Sequence, residues 1–593
     1  MKNFGVRYNG DAPTSGLISL EGAAPISRAN SLSVSGWCRL ANEAALRLAL
    51  SLPATSDIET ILMSGWQAWK HQLADRLRGE FVFAIADKAA GTLYVARDPL
   101  GLKPCYFHRD GAVILCADSS VALRRAIPAA LEPDRIVLSL FLEGRTWGHT
   151  RTFFHGIERL PPGHYLAYGD NGSQITQYWS ASAVPRRTDT ADATAEFRAL
   201  FDASVARDYA PGRTGLLLSG GLDSSAIAGT LAHQLGPGSG LATVSMTYPE
   251  PPDWNDRPHL QAPREAYDFS THDLPSDEHD PLVDADFYLR TLDGPWFPYG
   301  QMVSFRAKAW LRDQGRDIVL TGHGGDEIVS HGLGRLNELA REGRWLTLAR
   351  ESRAGAALQG TRHLATFLVY TDHVPAIRRA RRRWGRKGRI SAPANQSILN
   401  ADLRREMVRT EPTDPIPTLS RPDHDDRMVQ EDAVMSPLYA KAFENIALCS
   451  RALGIETRMP FCDRDLVELS LSLPSSTKLR GGWTRRILRE AMRGRVPESV
   501  LRRKTKYDFG DNFVRGLLAH RERLLDETAP ENTRLCDLLD TAELERLRAR
   551  VSQGGTGFER EDAYRMWRVA VAARWQEIER QAPSAAGNSD TSP

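Results

Sequence analysis

Two stretches of this chain carry residue types that could do chemistry together. The first is Ser219-Gly220-Gly221-Leu222-Asp223-Ser224-Ser225, preceded by the apolar run Gly215-Leu216-Leu217-Leu218 and followed by the Ala-rich run Ala226–Ala232. Apolar run, glycines, then a helix-forming stretch reads as buried strand, tight turn and helix. The glycines let backbone approach an anion, and the helix start aims free N–H groups and a positive dipole end at it. Serine hydroxyls add donors, and Asp223 offers a carboxylate to a hard cation such as Mg²⁺. The Gly-Lys-Ser/Thr ending of a Walker loop is absent. The second stretch repeats the logic: Asp317-Ile318-Val319-Leu320 reads as a strand ending in Thr321-Gly322-His323-Gly324-Gly325-Asp326-Glu327, glycines with two acids attached.

The elements around these stretches alternate strand and helix. Ala195–Phe201 has helical periodicity ahead of the first loop, and Leu241–Tyr248 reads as a second buried strand after it. Such alternation implies a parallel, doubly wound sheet, in which ligands sit beyond the carboxyl ends of strands. Val244 and Met246 read either as walls for an adenine ring or as core.

At 593 residues the chain is long enough for two or more domains. Its charges nearly balance, 76 Lys+Arg against 74 Asp+Glu, so no global field advertises nucleic acid. Six scattered cysteines without a C-x-x-C pair argue against a zinc site or a disulfide framework and fit a reducing cytoplasm. The N-terminus lacks an apolar signal segment, and no run reaches the roughly 18 apolar residues that span a bilayer. The chain is therefore expected to be cytoplasmic, with no membrane partner. Eight of the twelve residues from Arg378 to Arg389 are basic, either a solvated loop, a nucleic-acid footprint or a docking surface for an acidic peptide.

The first loop resembles the pyrophosphate loop of ATP pyrophosphatases, which cleave ATP between the α and β phosphates. The second, with Ala447–Asp463 and Arg502–Phe509, extends the likeness to asparagine synthetases. That resemblance implies ATP and Mg²⁺ as cofactors. It assigns nucleotide or pyrophosphate binding to Leu218, Ser219, Gly220, Gly221, Asp223, Ser224, Ser225, Val244, Met246, Gly322 and Gly324, and Mg²⁺ to Asp223 and Asp326. It places Leu292-Asp293-Gly294-Pro295 as a turn near the nucleotide. Glu456 and Arg458 become structural or substrate-orienting, and Glu327 either a site acid or a helix-capping one. Lys506 takes the place of the lysine that stabilises charge on the adenylate, with Lys504 as the other assignment. His323 stands where β-lactam synthetase-like relatives carry a tyrosine of an amine-deprotonating dyad. It reads as a base or as a hydrogen-bonded structural histidine, with His331 a second, weaker base assignment.

The first 180 residues are rich in strands. Glu80–Asp87 and Thr92–Arg97 flank a turn at Ala90-Gly91 and read as a hairpin. With Arg97–Pro104, Thr152–Ile157, Leu160–His164 and Tyr178-Trp179, they resemble the amidotransferase domain of asparagine synthetases. The fold implied is an Ntn-like four-layer α/β/β/α sandwich of the type 2 glutamine amidotransferases. Glutaminase activity in that family needs an N-terminal cysteine whose own α-amine is the base. Position 2 here is Lys2, and the nearest cysteine, Cys38, is internal and expected to be a small buried hydrophobe. The domain is expected to be inactive towards glutamine.

The organisation expected is α/β throughout. Residues 1–182 form a degenerate amidotransferase-like domain, and Ser180–Asp192 is a linker. Residues 190–580 form the ATP-pyrophosphatase domain with helical additions, and 581–593 a disordered tail. Relatives lacking the cysteine include β-lactam synthetases and lasso peptide cyclases, and the length and the basic segment resemble the cyclases. Expected partners are then a precursor peptide, with a leader-binding protein and a leader peptidase. Small-molecule amide formation, including ammonia-dependent asparagine synthesis, and a non-catalytic scaffold are the alternatives.

Overall fold

The structure is a computed structural model. It describes residues 3–12, 16–20, 23, 25–248, 257–276, 279–296, 301–359, 397–410, 424–504, 510–530, 535–553 and 560–581. The basic segment 378–389, Lys506 and the tail expected at 581–593 (Gln581 apart) lie outside those residues.

The N-terminal part is built on two antiparallel sheets. The strands are β1 (Gly5–Asn9), β2 (Ile18–Ser19), β3 (Ser27–Ala29), β4 (Leu32–Leu40), β5 (Gly79–Asp87), β6 (Thr92–Arg97), β7 (Tyr106–Asp110), β8 (Val113–Ala117), β9 (Glu158–Arg159), β10 (His164–Gly169) and β11 (Gly172–Gln177). One sheet runs β2-β1-β8-β7-β9 and the other β11-β10-β6-β5-β4-β3. Strand β5 shows why they stack. Side chains alternate faces along a strand. Val82, Ala84 and Ala86 pack with Phe4, Val6 and Tyr8 of the other sheet. Phe81, Phe83 and Ile85 pack with Ile61, Leu62 and Trp66 of the helix Ile58–Trp69. On the far side of the first sheet, Leu115 and Ala117 meet Leu123 of the helix Ser120–Ala126. Helix, sheet, sheet, helix is the four-layer arrangement.

The second half is built on a five-stranded parallel sheet. Its strands are β12 (Thr214–Leu217), β13 (Ala242–Thr247), β14 (Ser270–Pro275), β15 (Ile318–Leu320) and β16 (Glu456–Arg458), in the order β14-β13-β12-β15-β16. Every neighbouring pair is parallel. One face carries Val244, Val319 and Ile455 against Ala307 and Leu311 of the helix Gln301–Asp313. The other carries Leu216 and Leu320 against Ala226, Ile227 and Phe201. From β12 the chain winds outward through β13 and β14 on one side and through β15 and β16 on the other. The carboxyl ends of β12 and β15 therefore flank the switch point where ligands bind in such sheets.

The two halves share a core. Phe141, Trp147 and Phe153 from the first cluster with Tyr288, Trp296, Trp567 and Trp575 from the second. The turn Leu292–Pro295 belongs to this seam and does not line the cavity over the two glycine loops. Asp293 is paired with Arg124, and a Cβ on Gly294 would sit 2.2 Å from the Phe153 ring. The expected linker is likewise bonded down: the Arg187 N–H donates to the Ser472 carbonyl at 2.8 Å. No helix among the described residues is long and apolar enough to cross a membrane.

Candidate active site

The glycine turn after β12 is set by hydrogen bonds within itself and by one close approach. The Leu218 N–H donates to the Val244 carbonyl at 3.0 Å, which continues the sheet one residue past β12. Gly220 then takes φ +70°, and a Cβ there would lie 2.7 Å from the Leu260 nitrogen. That is a position only glycine fills without strain. The Ser219 N–H donates to Ser224 Oγ at 3.1 Å, and the Gly221 N–H to Ser219 Oγ at 3.3 Å. The helix Leu222–Leu235 begins directly after. The second loop presses against the first, since a Cβ on Gly322 would meet Asp223 Cβ at 2.9 Å and one on Gly325 its carboxyl carbon at 2.5 Å.

A cavity of about 610 Å³ opens over the two loops. Ser219, Gly221, Asp223, Ser224, Met246, Gly322, His323, Gly324, Asp326 and Lys504 all line it. Leu218, Gly220, Ser225 and Val244 do not. Val244 and Met246 share a face of β13, but Val244 lies deeper in the strand and is sealed against Ala307 and Leu311; only Met246, near the carboxyl end, reaches the cavity. Leu218 packs in the core on the other face, and Ser225 is fully buried.

Asp223 and Asp326, one carboxylate from each loop, converge on a single atom. Arg485 Nη1 lies 2.6 and 2.8 Å from the two Asp223 oxygens and 2.7 Å from Asp326 Oδ1. Burial would lower the Arg485 pKa, but the two carboxylates outweigh it and hold the guanidinium above its ordinary value. His331 Nε2 adds a contact to Asp326 at 3.3 Å. Two carboxylates aimed at one point suit a hard divalent cation. Among the described residues no group of three or more acids, cysteines or histidines could hold a metal ion. Two carboxylates alone would hold a Mg²⁺ that takes its remaining oxygens from phosphates, the usual way that ion is shared with a nucleotide.

The other polar groups are arranged around this pair. His323 Nδ1 lies 3.0 Å from Thr321 Oγ1. The Tyr439 hydroxyl donates to the Glu327 carboxylate; burial and that carboxylate push the phenol well above its ordinary pKa, so it stays a proton donor. Glu327 thus lines the cavity with its carboxylate paired to Tyr439, while it also stands in the first turn of the helix Gly325–Val329. Lys504 Nζ sits 4.4 Å over the Trp483 ring. Burial, and then the neighbouring Arg485, lower the Arg489 pKa to about 10. The buried carboxylate of Glu351 accepts the N–H groups of Gly481 and Gly482 at 2.8 and 2.7 Å, which fixes the turn leading into Trp483 and Arg485. The cavity's remaining wall is largely apolar, with Pro281, Val303, Phe443, Ile446 and Phe513. Glu456 and Arg458 stay outside the cavity, paired with each other at 2.7 Å, and Arg458 also donates to the Asp208 carbonyl.

Arg485, Tyr439 and Glu351 carry no signature in the sequence. Arg485 stands in a basic pair, Tyr439 in an ordinary helical pattern and Glu351 in a polar helix.

Comparison with known proteins agrees with this geometry. Residues 196–577 match the Asparagine synthase family and residues 38–179 the Glutamine amidotransferase domain family. The chain is 25% identical over 470 residues to asparagine synthetase (glutamine-hydrolyzing) 3 of Bacillus subtilis (strain 168), covering 76% of this chain and 70% of that protein. It is 24% identical over 505 residues to the amidase chry2 of Gibberella zeae, covering 77% and 73%. The chain belongs to the asparagine synthase family, ATP-dependent ligases that form carbon–nitrogen bonds and release AMP and pyrophosphate.

Proposed function

We propose that this protein converts a carboxylate into an acyl-adenylate and closes an amide with an amine already carried by the same substrate, the chemistry of lasso peptide macrolactam formation. The carboxylate would be an Asp or Glu side chain of a precursor peptide and the amine its N-terminus. The observation that carries the reading is the convergence of Asp223 and Asp326 on one point in a cavity that the apolar Pro281, Val303, Phe443, Ile446 and Phe513 also line. Mg²⁺ held by those two carboxylates would supply charge neutralisation to the departing pyrophosphate. The chain's own residues do the rest. Ser219, Ser224 and the helix start bind phosphate oxygens, and the apolar wall excludes water from the acyl-adenylate. Lys506 or Lys504 supplies a compact cation to the adenylate and to the tetrahedral intermediate that follows. His323, or the Tyr439–Glu327 pair, is positioned to handle the amine's proton.

Independence from glutamine is part of the proposal. Cys38 lies within β4, paired with Phe81, and is half-buried instead of the fully buried hydrophobe expected; desolvation and then the nearby carboxylates of Glu59 and Glu43 raise its thiol above the ordinary range. Such a group is not a nucleophile at neutral pH.

The test is incubation of the purified protein with ATP, Mg²⁺ and a candidate precursor, alone and with a leader-binding protein and a leader peptidase. Loss of one water from the peptide with matching AMP release supports the reading. ATP–pyrophosphate exchange driven only by aspartate, with amide formed from ammonia, would move the assignment to a small-molecule ligase, which the names of the curated relatives favour. Glutamate released from glutamine would overturn the glutamine-independent part, and absence of exchange with any substrate would leave only a scaffold.

A further inference from the structure

We infer that Arg485 is a built-in counter-ion. It holds the Asp223–Asp326 pair together while no nucleotide is bound, and it gives the pair up when Mg²⁺ and ATP enter together. The inference rests on the reading of those two acids as metal ligands.

Three observations carry it. The first is geometric. One nitrogen, Nη1, touches both carboxylates at 2.6 to 2.8 Å, so the guanidinium sits where a cation bound by the same oxygens would have to sit. The two cannot be there together. The second is backbone strain. Arg485 has φ +48°, and it is the one non-glycine residue lining the cavity with a positive φ among the described residues. A long side chain is held in the left-handed region only where its surroundings insist on it, and such strain collects at switching positions. The third is an anchor on the same loop. Glu351, almost fully buried, grips the N–H groups of Gly481 and Gly482 just before Trp483, so the loop has an anchor independent of the acids.

The consequence is order of binding. A divalent cation arriving alone must displace a buried guanidinium from both carboxylates and brings no anion of its own to receive it. A cation arriving with ATP brings phosphate oxygens, and the displaced guanidinium meets their negative charge. The acid pair is thereby closed to free metal and open to the metal–nucleotide complex.

The experiment uses the full chain and Mn²⁺ as a spectroscopic probe, with binding read by electron paramagnetic resonance, with and without α,β-methylene ATP. The wild type should take up Mn²⁺ tightly only in the presence of the nucleotide analogue. Arg485→Gln should bind Mn²⁺ without nucleotide at least about tenfold more tightly than the wild type, as expected for removing a charged competitor. It should also bind the analogue about tenfold more weakly. Glu351→Gln keeps the guanidinium but loosens its anchor, and should show intermediate nucleotide-free Mn²⁺ binding; it carries the test if Arg485→Gln does not fold. Nucleotide-free Mn²⁺ binding unchanged in the variants, or equal in the wild type with and without the analogue, would overturn the counter-ion role alone. No Mn²⁺ uptake by the wild type even with the analogue would overturn the metal-ligand reading of the acid pair and this inference with it.

Discussion

Glu444 of the synthetase half lies 3.0 Å from the fully buried guanidinium of Arg97 in the amidotransferase-like half. The same carboxylate takes Arg159 at 2.9 Å and the Tyr106 hydroxyl at 3.3 Å. Burial would raise its pKa, but the two arginines outweigh that and hold it below the ordinary carboxylate range. Glu444 sits on the helix Pro437–Ala452, whose other residues Tyr439, Ala442, Phe443 and Ile446 line the catalytic cavity. The first half of the chain therefore braces a wall of the active site, whatever its own chemistry.

Removing that brace should be costly. Glu444→Ala leaves two buried arginines uncompensated, and breaking such a pair costs about 3–5 kcal/mol. The expected outcome is a lower unfolding midpoint together with a weakened affinity for the acyl substrate. An unchanged midpoint would show that the network is not coupled to the fold.

The glycine turn makes a sharper prediction. Gly220→Ala meets both a left-handed backbone, at about 1–2 kcal/mol, and the Leu260 nitrogen 2.7 Å away. Gly212 has a similar φ of +72° with nothing within 4 Å of a Cβ. Nucleotide binding by calorimetry should fall about tenfold or more in Gly220→Ala, taking the strain figure as a lower bound. It should stay unchanged in Gly212→Ala, which carries strain alone and far from the loop.

Adenylation and amide closure can be separated. His323→Ala should slow amide formation by about 10²–10⁴, the usual worth of a positioned base, while leaving ATP–pyrophosphate exchange near the wild-type level. If exchange falls equally, the histidine, held by Thr321, is structural. Lys506→Ala should instead depress both steps by about 10²–10³, and a near-wild-type rate would transfer the role to Lys504.

Lys308 gives a pH dependence. Its ammonium is fully buried 4.3 Å from the Phe305 ring, and its nitrogen has no hydrogen-bond partner among the described residues. Burial lowers its pKa to about 7. An unfolded chain restores a value of about 10.4. Between those values the unfolded state holds the proton and the folded state does not, so stability rises with pH across the window. Below about pH 7 both states are charged and the full penalty stands. Lys308→Met should flatten the rise and stabilise the protein at neutral pH by about 1–3 kcal/mol, measured as denaturation midpoints at several pH values. A slope equal to that of the wild type would assign the dependence elsewhere.

How much of this the sequence carries follows from how far apart the interacting residues lie. The turn Ser219–Ser225 and the loop Thr321–Glu327 were legible because their constraints are local. A strand must end, glycines must turn, and a helix must start within a few residues. The parallel sheet followed from alternation, and the four-layer sandwich from phrases shared with a family. A strand or turn in the sequence shows its residue types but not which way each side chain faces, which is why Val244 and Leu292–Pro295 read there as neighbours of a nucleotide. Arg485 reaches Asp223 across 262 positions, Tyr439 reaches Glu327 across 112, and Glu444 reaches Arg97 across 347. No periodicity or spacing encodes such pairs. Side chains meet at those distances only after burial of the surrounding apolar surface has brought the helices and sheets together, and that packing is a property of the whole chain.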